Sequence, residues 1–268
     1  MGQSYLESYG PVGLVTGASS GIGWAFAEEL AARGFDLVLT ARRTDRMEDL
    51  AAKLKDAHGT TSRIVECDLT DPDAPAKLLK ATEDIDIGLL VSNAGRHGIK
   101  DRYEALTAQH MWEMLMVNSH AAMQLAHGFI PRLKARGKGG IIFTSSCEGL
   151  MGTPYSTVYA ATKALVVALG EGLWGELQGS GIDILTLCPG ATATKETAHF
   201  YAKLPDFQMA DECVQRTLDN IRNGPTYVPR EYFVKMYEQL HALPRRKALS
   251  GMADNMKAFM ATLPAVAE

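Results

Sequence analysis

Short apolar runs alternate with amphipathic stretches along most of the chain. The runs at 12–16, 36–41, 62–67, 86–92, 139–145, 182–188 and 225–229 have strand length. Helical patterns fill most of the gaps, as where Ile22, Phe26 and Leu30 share one face. Continuous apolar strands between amphipathic helices predict a parallel sheet covered on both faces. Its crossovers are expected to be right-handed. No internal repeat, low-complexity run or interdomain linker breaks the pattern, so residues 1–268 read as one α/β domain.

Composition narrows the function classes. A chain of 268 residues suffices for one full core, and a net charge of −4 gives no basic footprint for nucleic acid. No stretch of 18 or more apolar residues predicts a transmembrane helix. The start, Met-Gly-Gln-Ser-Tyr-Leu-Glu-Ser, lacks the charged and apolar regions of a signal peptide. The four cysteines (67, 147, 188, 213) form no CxxC pair and read as reduced thiols of a cytoplasmic protein. Cys147 adjoins Ser146 and reads either as a redox group or as a small core residue. The seven histidines form no metal-spaced cluster, so no metal site is expected.

Two local patterns carry chemistry. Thr16-Gly17-Ala18-Ser19-Ser20-Gly21-Ile22-Gly23 lies between the first apolar run and the first helical pattern. A glycine turn that opens a helix offers backbone N–H groups and the positive dipole end to an anion. Its glycines let the backbone approach a pyrophosphate closely. Further along, Tyr159 and Lys163 stand four residues apart, hence on one helix face. An ammonium beside a phenol favours the ionised form, which suits the phenol to acid–base work near neutral pH.

Together these patterns resemble the short-chain dehydrogenase/reductase family, over about Val12 to Pro229. The resemblance rests also on Cys67-Asp68-Leu69, Asn93-Ala94-Gly95, Asn118, Ser145-Ser146 and Pro189-Gly190. The run Thr153 to Tyr159, the triplet Ala41-Arg42-Arg43 and the tail after 210 make the chain similar to a bacterial DltE-like branch. The family implies a Rossmann-type doubly wound sheet with helices on both faces. It also implies a homodimer or homotetramer, assembled through the helices that carry Asn118 and Tyr159.

Cofactor choice is read at the end of the second strand. NAD-binding folds place an acid there, about 20 residues after the glycines. Here Ala41 takes that place and Arg42 and Arg43 follow. A guanidinium clamps a 2′-phosphate, so NADP(H) is expected, with Arg42 favoured over Arg43 as the clamp. The resemblance implies that Asp68 meets the adenine amino group and that Leu69 packs beside the ring. It implies that Asn93, Ala94 and Gly95 support the central strand and face the ribose. Ser92 stands where the family usually has another asparagine.

Reduction of a carbonyl needs a hydride, a proton and a group that polarises the oxygen. Tyr159 is the proton donor, and a hydroxyl from Ser146 fits the third role, with Ser145 as the alternative. Lys163 is expected to reach the nicotinamide ribose. By resemblance Asn118 holds a water of the proton relay. The same resemblance assigns Pro189, Gly190, Thr192 and Thr194 to the cofactor: backbone near Thr192 to the carboxamide, a threonine hydroxyl to the cofactor, and transfer from the pro-S face.

The substrate end is read more coarsely. The family's lid falls at about 191–210, and His199, Phe200, Tyr201, Leu204, Phe207 and Met209 suggest an apolar steroid, fatty acyl or aromatic substrate. Tyr155, one turn before Tyr159, reads either as a substrate contact or as packing. His97 reads as mouth or surface loop, and Glu148 as a charge selector or a solvated group. The tail, about 231–268, has apolar positions Leu240, Leu243, Met252, Met256, Phe259 and Met260 and a basic cluster Arg245-Arg246-Lys247. It reads as a dimer cover, a pocket wall or a membrane-surface contact. Two functions stand at this point. One is an NADP(H)-dependent reductase or dehydrogenase, with an NAD-preferring enzyme as its variant. The other is a non-catalytic dinucleotide sensor or scaffold.

Overall fold

The computed structural model describes residues 5–97, 101–194, 198 and 206–260. Its centre is an all-parallel sheet of seven strands in the order β3-β2-β1-β4-β5-β6-β9. These are β1 (Val12–Thr16), β2 (Asp36–Ala41), β3 (Ser62–Glu66), β4 (Ile87–Ser92), β5 (Gly139–Thr144), β6 (Ile182–Leu187) and β9 (Thr226–Tyr227). All seven expected strands are present, with ends one or two residues shorter in places. The pairing nevertheless runs on: Ser145 N–H donates to Leu187 O (2.7 Å), and Cys188 N–H donates to Tyr227 O (2.8 Å).

Helices cover both faces. Phe26 and Leu30 of α2 (Gly21–Ala32), Leu50 of α3 (Thr44–His58) and Val214 of α8 (Ala210–Asp219) join one core. Leu78 of α4 (Ala74–Ala81), Phe129 of α6 (Ala121–Arg136) and Val166 of α7 (Thr157–Glu176) join the other. The strand order reverses between β1 and β4, and this reversal opens a crevice at the carboxyl ends of the strands.

Three features lay beyond the sequence reading. A short helix α1 (Tyr5–Tyr9) precedes β1. A π-helical turn, Met116–His120, separates α5 (Ala108–Leu115) from α6 and contains Asn118. A second, two-stranded ladder pairs β7 (Thr192–Ala193) with β8 (Gln208–Met209), which clasps the base of the expected lid. His199, Phe200, Tyr201 and Leu204 fall outside the described residues, as does the Phe259 side chain. Two helices end the description: α9 (Glu231–Ala242) and α10 (Arg245–Met260). Among the described residues no helix is long and apolar enough to cross a membrane.

Candidate active site

One continuous cavity of about 830 Å³ runs from the glycine-rich turn to the C-terminal helices. At its first end Gly17 and Gly21 take positive φ (70° and 61°), a conformation that other residues rarely adopt. Gly23 lies beneath the turn rather than on the cavity wall. A Cβ there would stand 2.3 Å from Gly17 O, so only glycine lets the helix start this close. Ser20 is the extended N-cap of α2 and makes no side-chain cap bond, which leaves the first helical N–H groups aimed into the cavity.

Thr16 ties this turn to β4. Its hydroxyl accepts from the N–H groups of Asn93 and Ala94 (2.9 Å each), and Asn93 Nδ2 donates to Thr16 O (3.0 Å). Asp68 and Leu69 line the cavity above β3, with one Asp68 oxygen held by the Thr70 N–H and hydroxyl. Both arginines after β2 line the cavity. It is Arg43, however, that donates to the Ser19 and Ser20 hydroxyls (3.1 and 3.0 Å). The structure therefore shifts weight from Arg42 to Arg43 as the cation beside the glycine turn.

Midway along the cavity, α7 presents Tyr159 and Lys163 on one face, as their spacing predicts. The Lys163 ammonium lies 5.8 Å from the Tyr159 ring centroid and donates to Thr144 O (2.8 Å). Burial disfavours its charged form and pulls the amine down to about 8. Ser145 and Ser146 now separate. Ser145 Oγ donates to Lys163 O (2.8 Å), whereas Ser146 Oγ only accepts, from Glu148 N–H (3.2 Å), and keeps its own proton for a further partner.

Other expectations need adjustment. Asn118 does not line the cavity. Its amide donates to Arg96 O (3.1 Å) and Thr162 Oγ1 (3.0 Å), and its oxygen accepts from Arg96 N–H (2.7 Å). The side chain thus staples the turn after β4 to α7 and has no donor left for a water. The Thr192 hydroxyl is committed too, donating to Gly190 O and accepting from Gln208 Nε2 (3.1 Å each). Pro189, Gly190, Thr192 and Thr194 do line the cavity. Tyr155 does not line it; it sits at φ 62° and its carbonyl accepts from Asp101 N–H (3.0 Å). Cys147 is buried, its thiol donating to Cys188 O (3.2 Å). Burial pushes that thiol up, which favours the core reading over a redox one.

Sequence reasoning undervalued two groups. The His97 ring stacks on Tyr159, with centroids 5.0 Å apart and planes 22° apart. It lines the mouth of the cavity while remaining an exposed loop residue. At the far end Phe233, Met236, Tyr237 and Leu240 of α9 line the cavity together with Met252 and Met256 of α10. The spacing 233, 236, 237, 240 is one helix face and was the available signal. α9 seats against the turn after β6 because Gly190 has no side chain: a Cβ there would meet the Phe233 ring at 2.1 Å. The tail is thus a pocket wall, and Arg245, Arg246 and Lys247 are exposed.

The chain is similar to proteins with known names. A family model described as short chain dehydrogenase matches residues 11–204. The chain is 34% identical over 191 residues to a 7beta-hydroxysteroid dehydrogenase of Clostridium sardiniense, spanning 71% of this chain and 73% of that one. A solved short-chain dehydrogenase from Sphingobium yanoikuyae in complex with NADPH is 31% identical, with a TM-score of 0.77 over 96% of this chain and 98% of that one. A solved 7beta-hydroxysteroid dehydrogenase has a TM-score of 0.87 over 93% of this chain and 99% of that one. At 24% identity it speaks for the fold alone. These relatives do not bear out the narrower DltE-like branch. With a matching family model over most of its length, the chain belongs to the short-chain dehydrogenase family of oxidoreductases.

Proposed function

We propose that the protein is an NADP(H)-dependent oxidoreductase that interconverts a ketone and a secondary alcohol on an apolar substrate. The observation that carries this reading is the shared cavity face of Ser146, Tyr159 and Lys163, with the Ser146 proton still available. The residues fit the cofactor: Gly17, Gly21 and Gly23 form a backbone cradle, and Arg43 with Ser19 and Ser20 supplies donors suited to a 2′-phosphate. When bound, NADPH supplies the hydride that the carbonyl carbon receives as the cofactor is oxidised.

Ser146 donates to the carbonyl oxygen and fixes its position. Tyr159 gives that oxygen its proton as the C–O bond becomes single. Lys163 supports the phenolate left behind, and its buried charge acts strongly because little water screens it. Asn118 acts by holding the His97 turn against α7. His97 excludes water from one face of the phenol.

Phe233, Leu240 and the three methionines at 236, 252 and 256 favour a large apolar substrate. Relatives named as hydroxysteroid dehydrogenases support a steroid, and one named as a very-long-chain 3-oxoacyl-CoA reductase supports an acyl chain. Exposed Trp112, Leu115 and Met123 support a homo-oligomer through the α5–α6 region. The test is turnover of steroid, acyl and aromatic ketones with NADPH and NADH in parallel. NADPH-dependent reduction of one class upholds the reading. Tight NADPH binding without turnover of any class returns the sensor alternative.

A further inference from the structure

Tyr237 differs from Tyr5 and Tyr9, phenols enclosed away from the cavity. Tyr9 donates to Asp183 Oδ2 (2.6 Å) and accepts from Arg222 Nε (3.2 Å). The Tyr5 hydroxyl has no partner but is sealed away from the cavity. Tyr237 is 5% exposed, and its ring packs with Cys147, Met151 and Ala248, against the turn that follows Ser146. It lines the cavity, and among the described residues its hydroxyl has no hydrogen-bond partner. Unlike the Tyr5 hydroxyl, that of Tyr237 is not sealed off, so it opens onto the cavity and can donate to a ligand oxygen there.

The surroundings define that ligand group. Burial holds the phenol above its usual range, so it stays protonated and donates. Glu148 lines the cavity beside it, and a carboxylate there disfavours an anion. Phe233, Met236, Leu240, Met252 and Met256 of this wall offer no polar partner, and Asn255 adds one amide from α10. We propose that the Tyr237 hydroxyl selects substrates that carry, besides the reacting carbonyl or alcohol, one further neutral oxygen on an otherwise apolar frame. This inference rests on the reading of the cavity as an oxidoreductase site and names its substrate class more closely.

The test is calorimetric titration of the full chain, saturated with 1,4,5,6-tetrahydro-NADP, which neither gives nor takes a hydride, so that neither ketone nor alcohol reacts. The ligands are cyclohexylcyclohexanone and its derivatives monohydroxylated at each position of the second ring. At least one isomer should bind about tenfold more tightly than the parent, the yield of one well-made hydrogen bond. Tyr237→Phe should erase that preference, keep the parent's affinity within about twofold, and leave the melting temperature unchanged or higher, because no protein bond is lost. No preferred isomer, or a preference that survives Tyr237→Phe, overturns the inference. A large fall in melting temperature would assign the hydroxyl to stability and overturn it as well. Turnover of the parent ketone with NADPH is measured alongside. An active enzyme with no hydroxyl preference removes this inference alone, and a preference without turnover removes the oxidoreductase reading alone.

Discussion

At the glycine-rich end the cavity wall is backbone, while at the C-terminal end it is side chains. Gly17 and Gly23 bring main-chain atoms so close that Gly23 has no room for a single added carbon, while Gly21 serves through its positive φ. Thr16 and Asn93 then lock that turn to the central strand. Met236, Met252 and Met256 build the opposite wall from flexible, half-buried side chains on helices outside the sheet. A methionine wall can repack around ligands of different shape, whereas a backbone cradle cannot. The lesson is that the two ends should fail differently: the cradle abruptly, the wall gradually. Tyr159 and Lys163 stand between them.

The largest expected effect lies at that midpoint. Tyr159→Phe should lower kcat by about a thousandfold while both ends of the cavity still bind. Stopped-flow turnover and NADPH titration check this, and near-normal turnover would remove Tyr159 as the proton donor. Next comes the cradle. Gly23→Ala should weaken NADPH by about a hundredfold and lower the melting temperature, because the clash is with main chain. Fluorescence titration and thermal unfolding read both, and a tolerated alanine would show the cradle to be as yielding as the wall.

The cation beside the cradle sharpens the comparison further. Arg43→Ala should weaken NADPH about tenfold more than NADH, and Arg42→Ala should do so less. Equal losses for both cofactors would deny a 2′-phosphate role to either arginine. The midpoint also predicts a pH response. Burial lowers the Lys163 amine from 10.5 to about 8, so the ammonium is lost as pH rises through about 8. Below about 8 the amine is charged in the folded and unfolded chains alike. Between about 8 and 10.5 the unfolded chain binds the proton more strongly, so this group adds stability as pH rises there. Activity should move oppositely: kcat/KM for reduction should fall above about pH 8, and a profile flat to pH 10 would detach Lys163 from the proton step. The smallest effect is expected at the wall. Met252→Ala should raise KM for a large ketone a few-fold and leave NADPH affinity unchanged, as steady-state kinetics will register.

The sequence was most legible where chemistry needs a fixed local spacing. Glycines between a strand and a helix, and a tyrosine one helical turn before a lysine, are patterns of neighbours, and the structure keeps them. Strand positions were equally legible, since buried parallel strands must be apolar throughout. Choices between adjacent residues were not. Ser145 and Ser146 are equivalent on paper; only the Lys163 carbonyl, 18 positions away, takes one hydroxyl and leaves the other. Arg42 and Arg43 separate for the same reason, because Ser19 and Ser20 meet only one of them.

By itself, then, the sequence determined the α/β sheet, the cradle and the Tyr159–Lys163 pair, because each follows from periodicity or from contacts within one turn of chain. Tertiary structure alone decided that Asn118 acts as a staple, that His97 covers Tyr159, and that the tail helices wall the cavity with Tyr237 among them. These depend on which distant segments meet, and side-chain hydrogen bonds and packing between such segments leave no periodic trace in the chain.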